Sequence, residues 1–181
     1  MVRFMTASYD PWVVAVSFFI ATFASYVTLD LAGRERGEDT IGALAWWLGG
    51  SIAMGTGIWS MHFIGMQAYT LPIELGYRKL PTFLSWVAAV AVSGIALGIA
   101  GRGSLTVPRL IVGSLAMAAG ICVMHYTGIA AIDMAPGIVW DVTLVAVSAL
   151  VAWVASAAAL LIFFWLRRRG ERVGLHQTVA A

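Results

Sequence analysis

The chain has 181 residues, of which 61% are hydrophobic and 11% charged, and its net charge is +2. A soluble domain is about half apolar and about a quarter charged, so this composition excludes a disordered chain and a water-soluble globule and points to a membrane protein. The small charge gives no reason to expect a nucleic-acid partner, and the single cysteine, Cys122, excludes an internal disulfide and a multi-cysteine metal site.

Five apolar stretches are long enough to cross about 30 Å of hydrocarbon as helices, residues 12–31, 41–66, 81–100, 110–132 and 142–166. A spanning backbone must satisfy its own hydrogen bonds, so an all-α polytopic fold of five transmembrane helices is expected. The first stretch follows Arg3 and Asp10 and is long, which reads as a retained helix rather than a signal peptide. Arg34, Arg36, Glu35, Glu38 and Asp39 follow it. In the second stretch Trp46 and Trp47 read as interfacial anchors. Arg78 and Lys79 precede the third, where Ser93, Gly94 and Gly98 mark a small-residue packing face. Arg102 and Arg109 bracket the link to the fourth, and Asp133, Met134 and Trp140 separate the fourth from the fifth. Arg167, Arg168, Arg169 and Arg172 follow the fifth, in a short polar tail over 167–181 that is expected to hold no folded output domain. With the N-terminus outside, every basic residue except Arg3, Arg78 and Lys79 falls inside, so the positive-inside rule predicts N-out, C-in.

Stretches two and four are copies. Residues 50–68 read GSIAMGTGIWSMHFIGMQA, and residues 113–131 read GSLAMAAGICVMHYTGIAA, at an offset of 63 residues. Met54/Met117, Gly57/Gly120, Met61/Met124, His62/His125 and Gly65/Gly128 match in one register. This marks a duplicated two-helix unit, and the copies run in the same direction. His125 lies 16 residues past Arg109, about 24 Å along a helix, so both histidines belong near the outer face.

Ionisable residues inside a membrane are costly and usually functional. Imidazole nitrogen together with thioether sulfur suits copper. His62 and His125, with Met66, Met61, Met124 and Met134 available, make a candidate copper site. The same two histidines can serve as axial haem ligands in an electron carrier, which ranks below copper, and Met and His lining an ion path fit a copper-handling or transport protein. Each reading competes with plain packing. His62 can hydrogen-bond across to Tyr126 or Thr127, Met is an adaptable core residue, and a lone Cys122 is more often a small hydrophobe. Asp133 can orient a ligand imidazole or simply face water, and the latter is favoured. No nucleophile–base pair, phosphate loop or paired carboxylates stand out, so no enzyme is expected.

MHFIGM (61–66) and MHYTGI (124–129) are similar to the MHYT motif, and YDPWVVAVSFFIATFASYVTLDLAGR (9–34) is similar to the first helix of that family. The chain thus resembles, over nearly its whole length, the MHYT-domain family of bacterial integral-membrane sensor modules. The resemblance implies a signalling input domain in the inner membrane, with its motifs near the outer face. It also implies copper bound through His and Met as a route to sensing oxygen, carbon monoxide or nitric oxide. On the motif match His62, Met66 and His125 carry over, along with Met61 and Met124. The family usually has three motifs and six or seven helices, whereas two motifs and five helices are read here. Ile129 stands where Met66 has its counterpart. Family members often carry cytoplasmic cyclic-dinucleotide domains. A module of this length implies a separate signalling partner or a homo-oligomer, besides the lipid bilayer.

Overall fold

The computed structural model describes residues 8–34, 40–70, 75–102, 104–134 and 137–179. Arg3, Glu35, Arg36, Glu38 and Asp39, which enter the charge argument above, lie outside the described residues. Five helices carry the chain, α1 (Pro11–Arg34), α2 (Thr40–Gln67), α3 (Lys79–Ala100), α4 (Val107–Ala130) and α5 (Val142–Val179). Four of them contain spans long and apolar enough to cross a membrane, Ile41–Gln67, Lys79–Ala100, Val107–Ala130 and Val142–Arg168. In α1 the apolar part, Pro11–Val27, is shorter, but the 24-residue helix is about 36 Å long. The protein is an all-α, multi-pass membrane protein.

Packing follows what a bilayer allows. Large apolar side chains such as Phe18, Phe19, Phe23 and Leu144 are exposed, as lipid-facing groups are. The side chains that are fully enclosed are small, with Ser85, Ser93 and Ser114 the largest among them. Lipid tails are as apolar as leucine, so helices associate where small residues let backbones approach. Gly55 makes the closest approach to a neighbouring backbone, since a Cβ there would lie 2.5 Å from Val90 Cα on α3. Gly94 fills the expected packing role, because Trp47 lies across it and its Nε1 donates to the Gly94 carbonyl at 3.0 Å. Trp47 is therefore a packing residue of the α2–α3 interface rather than an interfacial anchor.

The duplication extends beyond the helices. Strand β1 (Ser8–Tyr9) pairs antiparallel with β2 (Tyr69–Thr70), and β3 (Gly76–Tyr77) pairs with β4 (Ile132–Asp133). Each pair ties the start of one helix hairpin to its end. The register is the same in both, Ser8 opposite Thr70 and Gly76 opposite Asp133. The next backbone bond repeats as well, Asp10 N–H to Ala68 O at 2.9 Å and Arg78 N–H to Ala131 O at 2.8 Å. The chain is thus two βααβ units followed by α5.

That last helix is a third copy of the odd-numbered ones. Ser17, Ser85 and Ser148 each donate to a carbonyl three residues earlier, those of Val14, Thr82 and Val145. Asp141 opens α5 as Asp10 opens α1, its carboxylate accepting from the Thr143 and Leu144 amides as Asp10 accepts from Trp12 and Val13. At the equivalent point of α3 stands Arg78, which turns instead to the exposed Ala130 carbonyl at the end of α4.

Most helix boundaries shift by one to three residues from the sequence reading, and two differences have a clear cause. Helix four was expected to reach residue 132, but it ends at Ala130 because Ile132 and Asp133 pair with β3. The polar segment after residue 166 was read as a tail, whereas α5 continues through it to Val179. Hydropathy marks where a helix leaves hydrocarbon, not where its hydrogen-bond ladder stops.

Candidate metal centre

The paired strands close the same end of the bundle that carries both histidines. His62 lies near the end of α2 and His125 near the end of α4, and the two units bring their rings to a centroid separation of 4.9 Å at 55°. Around them opens a cavity of about 580 Å³. Met61, Met66 and Met134 line it, as do three tyrosines from the caps, Tyr9, Tyr69 and Tyr77. Of the residues singled out from sequence, His62, His125, Met61 and Met66 therefore share one space. Met124 does not join them; it is buried, 4% exposed, and absent from the cavity wall. Cys122 does not line the cavity either.

Each ring is held by aromatic edges. His62 meets Phe63 at 5.7 Å and His125 meets Tyr126 at 5.1 Å, both edge-on. Phe63 in turn packs on Tyr77 and Tyr126 on Trp140, the same contact in successive units. The Tyr126 hydroxyl bonds to Ser148 on α5, so it is not the partner considered for His62. Trp59, on the same face of α2 as His62, packs at a tilt against Phe63 and donates to Ser85 Oγ at 2.9 Å. It is structural. Asp133 is exposed in β4 and lies against Gly76, as expected of a water-facing residue. Burial pushes the Tyr77 phenol above its ordinary value, which keeps it neutral and able to donate a proton to a hydrogen bond.

One atom is out of balance. His62 Nε2 is buried and has no hydrogen-bond partner among the described residues. It faces Gly128, where a Cβ would come within 3.1 Å. We expect Gly128→Ala to displace the His62 ring and cost about 1–3 kcal/mol of stability by overpacking. Histidine NMR of the variant should show the His62 ring signals moving more than those of His125; unmoved signals would contradict the contact.

The donor set fits a soft ion. Among the described residues no three His, Cys, Asp or Glu side chains cluster, so the nitrogen and sulfur donors at hand are the two imidazoles and the thioethers. Two imidazoles and nearby thioethers match the preferences of copper. A metal held at about 2.0–2.1 Å by imidazole nitrogen lies roughly 3 Å from the ring centroid, so two rings on one ion sit about 5–6 Å apart. The observed centroid separation of 4.9 Å is near that range, with His62 Nε2 turned toward Gly128.

Sequence reasoning missed the three cap tyrosines. Their only signal is position, since Tyr9 and Tyr77 stand just before a helix and Tyr69 just after one.

Fold and site together define a helical membrane protein of repeated two-helix units with a paired-histidine cavity at one end. The chain matches, over residues 55–113 and 119–175, the family described as bacterial signalling protein N terminal repeat, MHYT. It belongs to that family, whose matched repeats begin inside α2 and inside α4 rather than at the caps. It is 47% identical over 177 residues to the bifunctional diguanylate cyclase/cyclic di-GMP phosphodiesterase MucR of Pseudomonas aeruginosa, covering 98% of this chain and 26% of MucR. It is 36% identical over 176 residues to the signaling protein YkoW of Bacillus subtilis, covering 96% and 22%, and 33% identical over 175 residues to the cyclic di-GMP phosphodiesterase NbdA of P. aeruginosa, covering 96% and 22%. The chain thus spans about a quarter of the length of these curated relatives. No solved structure matches it. A membrane signalling module is the class these similarities define.

Proposed function

We propose that the chain is a sensory input module of the bacterial inner membrane, oriented N-out and C-in, in which His62 and His125 hold one copper ion near the outer face. Met66, Met61 and Met134, which line the same cavity, are the candidates for further ligands. The observation that carries this reading is the 4.9 Å approach of two imidazoles from separate units beside thioethers. Once bound, copper supplies a centre that changes oxidation state or takes a diatomic molecule such as oxygen, carbon monoxide or nitric oxide.

The protein's part is to hold the two imidazoles and to report on their spacing. One ring belongs to the first βααβ unit and the other to the second, so a change in their preferred separation acts between α2 and α4. Such a change shifts helix packing only by the difference in affinity between the two arrangements. Its readout passes to a separate partner or a second copy, with no catalysis in this chain.

The test is metal analysis and Cu(I) titration of protein purified without chelators. One equivalent of copper is expected, and Met66→Leu should weaken Cu(I) more than Cu(II), because a thioether prefers the softer ion. Protein that stays copper-free in stoichiometric Cu(I) would overturn the assignment, and a Soret band from co-purified haem would replace it.

A further inference from the structure

The end of the bundle away from the histidines is cationic. Its described side chains include Arg102, Arg109, Arg167 and Arg168, whereas the described carboxylates Asp10, Asp133 and Asp141 belong to the capped end. Three of these guanidiniums are engaged with backbone. Arg102 donates to Gly98 O, Arg109 to Ser104 O, and Arg167 to Ala100 O and Arg102 O. Arg168 has no hydrogen bond or ion pair among the described residues.

Arg168 stands over a recess of about 530 Å³ between the start of α4 and the last membrane turns of α5. Its walls are Leu105, Leu110, Leu161, Phe164 and Trp165. Phe164 belongs to the buried cluster of Ile99, Leu160 and Phe164, against which Leu105 and Leu110 also pack. An apolar recess left empty forfeits dispersion contacts along its whole lining. In a membrane-spanning chain the apolar matter at hand is the acyl chain of a lipid, and the cation at the mouth selects the headgroup.

We propose that this groove is a binding site for an anionic phospholipid, its acyl chain lying on Leu110 and Leu161 and its phosphate meeting Arg168. Trp165, half-exposed at the mouth, sits where indole rings favour the headgroup layer. The site is independent of the metal assignment.

The test loads full-length protein into nanodiscs containing phosphatidylglycerol and phosphatidylcholine, extracts it gently, and counts retained lipids by native mass spectrometry. Wild type should retain phosphatidylglycerol in preference to phosphatidylcholine. Arg168→Gln should lower phosphatidylglycerol retention roughly five-fold, the effect of one surface cation on an anionic lipid. Leu161→Trp, which fills the groove and keeps the charge, should lower it as well, with circular dichroism showing unchanged helix in both. Equal retention of the two lipids by wild type would refute the proposal. So would displacement by glycerol phosphate alone, which marks a free-anion site, or a dimer abolished by Leu161→Trp, which marks a second copy as the occupant.

Discussion

Replacing either His62 or His125 by alanine is expected to weaken copper binding more than about 100-fold, since even groups behind the ligands of a metal site account for 10–100-fold. The two imidazoles come from different units, and the described residues offer no third histidine, cysteine or carboxylate to form a cluster with them. Removing one ring leaves thioethers facing a single nitrogen. Both variants should keep their helical content, because the rings line a cavity rather than fill the core. Copper titration followed by circular dichroism checks both statements. Met124→Leu serves as the internal control. Met124 is buried away from the cavity and should leave affinity unchanged. Wild-type affinity in His62→Ala would move the site elsewhere.

The second large effect is structural. Gly55→Val should lower thermal stability in detergent by about 1–3 kcal/mol or more, the usual cost of forcing atoms into a packed interface. A Cβ at residue 55 would sit 2.5 Å from Val90 Cα and 2.6 Å from Val90 N. These are backbone atoms of α3, so no rotamer change relieves the clash and the helices must separate. Gly49→Ala on the same helix is the contrast. Nothing lies within 4 Å of its added Cβ, and alanine favours the helix by about 1 kcal/mol over glycine. Intrinsic tryptophan fluorescence during heating reads both. Equal melting temperatures for the two variants would show that the α2–α3 approach is not as close as described.

Gly55 and Gly49 also show why sequence reading stops where it does. Both are glycines of one apolar helix, and nothing local separates them. Only the position of Val90 on the neighbouring helix does. The same holds for Met61 and Met124, which match in the repeat yet part company in the fold. Met61 looks into the cavity, whereas Met124 is enclosed. Trp47 is a further case. Its place near a helix end suits an interfacial anchor, and it turns inward because Gly94 leaves room across the interface.

What the residues determined by themselves is what depends on local order and solvent preference. Apolar runs of sufficient length dictate helices, because lipid leaves the backbone no other partner. The 63-residue echo of Met, His and Gly dictates co-directional copies with histidines at one depth. It also carries the family. What tertiary structure alone decided is how those copies meet. Two-residue strands are too short to register as a pattern, yet they bind each hairpin shut and carry the tyrosines to the cavity. The 4.9 Å between the imidazoles arises from the packing of α2 and α4 through Gly128. It is a relation between helices, and a periodicity along one chain contains no information about the distance to another.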